Sequence, residues 1–339
     1  MGNPILSLLA MAVTAAASPG EPPLSRFEFS RIEMAVPIKI VLYAPDETTA
    51  ENGAKAAFDR IHVLNGILSD YDPQSELRRL CETAGRGKAV PVSRDLWNVL
   101  HRARAVSRQS GGAFDVTVGP LVRLWRRAIR RRIFPSDERL DEARPLVDYR
   151  LVRLDEANRS VELLKPGMRL DLGGIAKGYA VDEALAALAT AGITRALVDA
   201  GGDIRLGDPP PDKSGWRIGV APLQADGPPG TLLSLSRAAI ATSGDTWQYV
   251  EIDGTRYSHI IDPRSGMALT DHSSVTVIAP DGITADALAS AVSVLGPEQG
   301  LKLIDATPGT AALIVRAPQG KVEKHKSKRW GEGEMMNDE

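Results

Sequence analysis

The sequence predicts an α+β fold, with mixed or antiparallel sheets, packed helices and two intimately joined lobes. Three observations lead there. Strand-like and helix-like segments alternate without the regular βαβ rhythm of a doubly wound parallel sheet. Several strand pairs are joined by turns too short for a parallel crossover, Asp253-Gly254 being the clearest. No G-x-G-x-x-G stretch occurs, so a Rossmann-type dinucleotide site is not expected. At 339 residues and 43% hydrophobic, the chain can bury a sizeable core.

The elements follow in order. Residues 1–23 form an apolar run, then small residues and a Pro/Gly break, the pattern of a signal-like leader with a cleavage point after Ala15 to Ala17. No Lys or Arg precedes the run, and it is too short to span a membrane comfortably; an exported periplasmic protein is the expectation, a disordered N-terminus the alternative. The main domain is expected over 24–318. "RIEMAVPIKIVLYAP" reads as two strands around Pro37, and "TAENGAKAAFDRIHVLNGILSDY" as a helix ending near Tyr71. Ser75 caps a short helix, and Ser93 opens an amphipathic helix that stops at Gly111. "AFDVTVGPLVRLW" is broken by glycine, and an Arg-rich helix follows from Arg123 to Arg132. The segment 149–174 reads as three strands with turns at Glu156–Asn158 and Pro166–Gly167. A helix after Gly178 runs to about Gly192, and "RALVDAGGDIRLG" is strand, glycine pair, strand. "WRIGVAPL", "TLLSLSRAAIATSG", "QYVEIDGTRYSHIIDP" and "HSSVTVIAP" are further strands; the helix "TADALASAVSVLG" and "GLKLIDATPGTAALIVR" close the core. The polar segment 319–339 is expected to be loose.

Composition narrows the partners. Lys plus Arg total 41 against 43 Asp plus Glu, a formal charge of −2, which argues against nucleic acid as the main partner. Cys81 is the sole cysteine, so neither an intramolecular disulfide nor a cysteine zinc site is available. The five histidines lack metal-ligand spacing; any metal is expected to be hard and oxygen-ligated, such as Mg²⁺.

The chemistry-bearing residues come in short clusters. In "LDLGGIAKGYAVDEAL", glycines between strand and helix let a ligand approach the backbone, and the helix N-terminus favours an anion. Lys177 in that first turn opposes the helix dipole, a cost that a bound phosphate would offset. Tight strand–helix packing explains the same glycines equally well. Asp286 and Ser290, four apart, share one helix face and are suited to a cation; Asp286 also fits ordinary dipole matching. His259, placed on a strand before an Asp-Pro turn, is suited to accept a hydroxyl proton, although a lone histidine is more often structural. The arginines at 123, 126, 127, 130, 131 and 132 surround their helix and read as a solvated face.

The order of these weak features is specific. "MAVPIKIVLYA", "LSDYDPQSELRRL", "GGAFDVTVGPLVRLW", "LDLGGIAKGYAVDEA", "VDAGGDIRLG", "ATSGD", "YSHIIDPRSG" and "ADALASAVSVLG" occur in succession, and together they closely resemble the ApbE family of FAD:protein FMN transferases over roughly Arg31 to Val315. The resemblance implies binding of FAD with Mg²⁺ and transfer of its FMN half to a Ser or Thr hydroxyl of an acceptor flavoprotein, with release of AMP. It implies the Gly174 carbonyl, Asp286 and Ser290 as metal ligands. It assigns Met34, Tyr71, Phe114, Asp115, Asp171, Lys177 and the Ile260 region to FAD, and His259 to deprotonation of the acceptor hydroxyl. Ser290 stands where the family usually has threonine, and Thr246-Trp247 where many relatives have tyrosine after the aspartate. Two rivals remain: Mg²⁺-dependent hydrolysis of FAD to FMN and AMP, and an exported flavin-binding protein without turnover. The acceptor is expected to be a membrane redox subunit or a periplasmic flavoprotein, with no transmembrane segment in this chain beyond the leader.

Overall fold

The computed structural model describes residues 23–220, 222–223, 230–245 and 248–331, so the leader and the Thr246-Trp247 pair lie outside the described residues. β1 (Ser25–Glu33) and β2 (Val36–Ala44) form a hairpin whose turn residues, Met34 and Ala35, have φ of 50° and 62°. This is the primed-turn geometry that matches strand twist, adopted here without glycine. α1 (Glu47–Leu68) starts at Asp46, whose carboxylate accepts the Thr49 N–H. α2 (Glu76–Cys81) and α3 (Arg94–Gln109) begin at Ser75 and Ser93, each hydroxyl accepting the N–H three residues on, and β3 (Val90–Pro91) lies between them.

Val116–Val118 makes one tight turn, and α4 (Gly119–Arg131) follows directly. The Gly-Pro pair therefore starts this helix instead of breaking the segment; proline is well suited to a first turn because its missing N–H is not needed there. α5 (Asp137–Ala143) leads to β4 (Val152–Asp155) and β5 (Ser160–Leu163). The third strand expected before Gly173 does not form; Met168, Leu170 and Leu172 pack into the core without strand partners. α6 (Ala176–Thr190) is followed by β6 (Ala196–Ala200), β7 (Ile204–Leu206) and β8 (Trp216–Gly219). The segment "TLLSLSRAAIATSG" holds two strands, β9 (Leu232–Leu235) and β10 (Ala239–Gly244), divided at Arg237 with φ 49°. β11 (Tyr249–Ile252) and β12 (Thr255–Ser258) are joined at Asp253-Gly254 as expected, then come β13 (Ser273–Ala279) and α7 (Gly282–Ala306). α7 breaks at Gly296 (φ 72°) and resumes after Pro297. β14 (Ala311–Arg316) and β15 (Glu323–Lys326) end the described chain.

Eight strands form one sheet in the order β1-β2-β6-β7-β10-β13-β14-β15, every pairing antiparallel. Strand alternation divides the burial. Ile38, Ile40 and Leu42 face the main core, which α1, α6 and α7 cover, whereas Val41 faces a second cluster with Trp216 and Ile240. α4, α5 and the loop after β12 enclose a smaller core around Trp125. The fully buried Trp125 indole N–H donates to the Gly266 carbonyl at 2.9 Å, and its ring packs on Phe134 and Tyr257. α4 thereby fixes the loop that follows His259.

The tail corrects an expectation. The segment 319–339 is expected to be loose, yet within 321–331 β15 pairs with β14 and Trp330 is buried against Val220, Leu313 and Val315; residues 332–339 lie outside the described residues. Arg329 donates to the carbonyls of Ile304 and Thr307 at 2.7 Å each, adding to the Thr307 N–H and Thr310 hydroxyl bonds at the end of α7. Polarity hid this anchor because the pairing is made by backbone and by one indole.

Candidate active site

α6 and α7 meet through backbone. A Cβ at Gly178 would lie 2.1 Å from the Gly282 carbonyl oxygen and 2.7 Å from the Asp286 Cβ, so only glycine permits this crossing. The start of α7 is held from two sides. Asp281 accepts the Thr284 N–H at 2.9 Å, and Asp182 of α6 accepts those of Gly282 (2.7 Å) and Ile283 (2.9 Å). Three of the four orphan donors of the helix are satisfied this way. One turn further, Asp286 and Ser290 point back toward the start of α6.

Asp286 is buried, and one oxygen accepts the Gly178 N–H at 3.0 Å. Burial raises its pKa, while Lys177 and the Gly178 N–H oppose the rise. At Gly174 a Cβ would come within 2.6 Å of the Ser290 hydroxyl oxygen and 3.4 Å of the Phe114 ring. The absent side chain leaves a cradle bounded by a backbone turn, a hydroxyl and an aromatic edge. Among the described residues no group of three His, Cys, Asp or Glu side chains is arranged to hold a metal. The expected ligand set here has a different composition: one carboxylate, one hydroxyl and one backbone carbonyl. Such hard oxygens suit Mg²⁺, with ligand phosphates and water completing the shell.

Lys177 leaves the first turn of α6 and pairs with the buried Asp203, directly after the Gly201-Gly202 turn. Asp203 was not singled out in the sequence; a carboxylate after a glycine pair was the available sign. The β1–β2 hairpin tip carrying Met34 adjoins this turn, since Val36 packs against Gly201.

His259 lies one residue beyond β12 rather than on a strand. Its Nδ1 is 3.1 Å from the Gln248 carbonyl oxygen, which only accepts, so Nδ1 carries the proton and Nε2 keeps its lone pair. The side chain is exposed, while the protein packed around it lowers its pKa by desolvation; Lys177 and Arg126 act the same way, and Gln248 and Asp245 oppose them. The shift favours the neutral imidazole. Ile260 continues the loop, its N–H donating to the Ser258 hydroxyl at 3.0 Å.

At the outer edge, Tyr71 is 75% exposed and its ring lies under the Arg126 guanidinium, 4.4 Å away. Arg126 bridges Asp70 and Asp171, the latter at 2.9 Å, and Asp171 also accepts the Gly173 N–H at 2.8 Å. Burial and the neighbouring Asp70 raise the Asp171 pKa; Arg126 opposes them. The arginine helix is thus not uniformly solvated. Asp115 has a different position: it accepts from Thr117 N–H (2.8 Å), Thr117 hydroxyl (2.6 Å) and Tyr149 N–H (2.7 Å). Both its oxygens hold the loop behind Phe114. The structure therefore gathers Gly174, Asp286, Ser290, Phe114 and Lys177 in one corner, His259 within electrostatic range of Lys177 and Arg126, and Tyr71 with Asp171 at the mouth.

Fold and site define an antiparallel α+β protein with a hard-oxygen corner and an exposed histidine, both within electrostatic range of Lys177. The family model for the ApbE family matches residues 34–314, and the chain belongs to that family. Among known proteins it is similar to the FAD:protein FMN transferase of Treponema pallidum, 34% identical over 88% of each chain. It is also similar to that of Klebsiella pneumoniae, 34% identical over 85% of this chain and 89% of the relative. Among solved structures, the flavin transferase ApbE from Vibrio cholerae superposes with a TM-score of 0.83 at 29% identity, covering 92% of this chain and all of that one (100%). The ApbE protein from Thermotoga maritima gives 0.81 at 32%, covering 90% and 98%.

Proposed function

We propose that this protein is a Mg²⁺-dependent FAD:protein FMN transferase, which moves the FMN half of FAD onto a Ser or Thr hydroxyl of an acceptor flavoprotein and releases AMP. The observation that carries the reading is that Lys177 lies within electrostatic range of both Asp286, beside the Ser290–Gly174 approach, and His259. Family membership and the names of the relatives support the same chemistry.

Asp286, Ser290 and the Gly174 carbonyl would hold the metal. Bound there, Mg²⁺ would neutralise charge developing on the pyrophosphate oxygens. Lys177 adds a cation beside the same corner, and Asp203 keeps its side chain directed. Tyr71 offers an aromatic face for a ring of FAD to stack on. His259 Nε2 takes the proton of the acceptor hydroxyl, whose own pKa lies far above neutrality. The oxygen attacks the FMN-side phosphorus, the phosphorus–oxygen bond to the AMP phosphate breaks, and AMP leaves with the electron pair.

His259 is exposed, and that favours a second reading in which water takes the place of the hydroxyl and FAD is hydrolysed to FMN and AMP. The test is incubation with FAD and a tagged flavoprotein acceptor, with and without Mg²⁺, following protein-bound flavin fluorescence and AMP together. Mg²⁺-dependent labelling with equimolar AMP supports transfer. AMP without labelling across several acceptors supports hydrolysis, and bound FAD left intact supports a binding protein. The apolar leader supports export to the periplasm, where fractionation would find the protein. Among the described residues no helix is long and apolar enough to cross a membrane.

A further inference from the structure

A groove of about 570 Å³ opens beside the cleft mouth, running from Tyr71 along α4. Arg123, Arg127, Arg130, Arg139 and Arg169 line it, with Glu142 the one carboxylate in its wall. None of these five arginines forms an ion pair among the described residues, whereas Arg126 on the same helix is doubly paired. Arg169 is held against its neighbours: desolvation, then Arg123 and Arg78, lower its guanidinium pKa. Like charges gathered in a concavity repel, and a bound anion relieves that cost.

We propose that this groove docks an acidic segment of the acceptor protein, next to the hydroxyl that enters the cleft. The inference rests on the transferase reading, and it names the partner's chemistry. Three arguments favour a polypeptide. Arg123 to Arg130 cover about 10 Å of helix, the length of about three residues of extended chain. Apolar Leu124, Leu146 and Pro120 lie between the cations and suit side-chain stems more than a bare phosphate. The arginines converge into a hollow, while a lipid surface is flat and calls for a convex face. A macromolecular substrate also needs binding energy away from the reacting atoms, and this groove, which begins at Tyr71 and Arg126, lies outside the Asp286–Ser290 corner.

The test uses the full chain and a fluorescein-labelled hexaglutamate peptide, read by anisotropy at low salt. Arg127 and Arg130 are exposed and outside the catalytic corner, so Arg127→Glu/Arg130→Glu should fold and keep its FAD affinity. Peptide affinity is expected to fall at least tenfold in that variant, by an intermediate amount in Arg127→Gln/Arg130→Gln, and in wild type between 50 and 300 mM salt, on the order of several-fold. No peptide binding by wild type overturns the proposal. So does binding to phosphatidylglycerol vesicles, but not to the peptide, that the double variant loses, since that marks a membrane surface. Loss of FAD affinity in the double variant also overturns it, because the groove would then belong to the FAD site. Failure of wild type to bind FAD would sink the transferase reading instead, whatever the peptide does.

Discussion

The inner corner and the outer mouth of the cleft are built by opposite means. At the corner, α6 and α7 touch through Gly178 and Gly282, and Asp286 is buried against a backbone N–H. Position there is set by backbone and tolerates almost no added atom. At the mouth, Tyr71, Arg126, Asp70 and Asp171 hold one another by charge and ring contacts at the surface. Position there is set mainly by side-chain ion pairs, with the Asp171 side chain mostly buried and also held by the Gly173 N–H. Under the proposed transfer reaction the difference would match two tasks: a corner aligned to small, highly charged reacting groups, and a mouth that admits an acceptor protein.

Breaking the corner should have the largest effect. Asp286→Ala is expected to lower the rate of transfer on the order of 10⁴-fold at fixed Mg²⁺, several kcal/mol of charge stabilisation, with FAD still detectable by equilibrium dialysis. A variant that keeps wild-type rate would remove the corner from the mechanism. His259→Ala is next, at about 10²- to 10³-fold, with FAD affinity unchanged. The pH profile sharpens this assignment. A histidine with a lowered pKa stays neutral as pH falls, so the acid limb of the rate should lie below 6.5, the ordinary value, and vanish in His259→Ala. An acid limb above that value would contradict the neutral base.

Gly178→Ala tests the backbone crossing itself. The added methyl meets a carbonyl that cannot move without moving α7, so a loss of about 1–3 kcal/mol in urea unfolding is expected, with weaker Mg²⁺ dependence. Unchanged stability would show that the helices part easily. The mouth should be milder. Tyr71→Ala is expected to weaken FAD binding by about tenfold or less, from a lost stacking contact of about 0.5–1.5 kcal/mol, with no change in unfolding. A larger effect there than at Gly178 would invert the comparison.

Much was legible in the sequence because it was local. Serine caps at Ser75 and Ser93, the Asp253-Gly254 turn and the antiparallel class all follow from neighbouring residues. So did the shared face of Asp286 and Ser290, which needs only the helical repeat. Where local cues misled, tertiary context won: Gly119-Pro120 opened a helix, His259 fell past the strand end, and the polar tail became β15. Whether the glycines between strand and helix serve phosphate approach or close packing also had no local answer. The structure shows Gly178 used for packing and Gly174 facing the Ser290 hydroxyl.

The sequence by itself determined the elements, their caps and turns, and the serial order of motifs that marks the family. The tertiary structure decided which of them meet. Gly178 reaches Asp286 across 108 positions, Arg126 reaches Asp171 across 45, and Lys177 reaches Asp203 across 26. Periodicity carries information over a few turns of chain, whereas these contacts depend on how eight strands are ordered and which helices cover them. Burial, and with it the charge state of His259 and Asp286, exists only once that packing is complete.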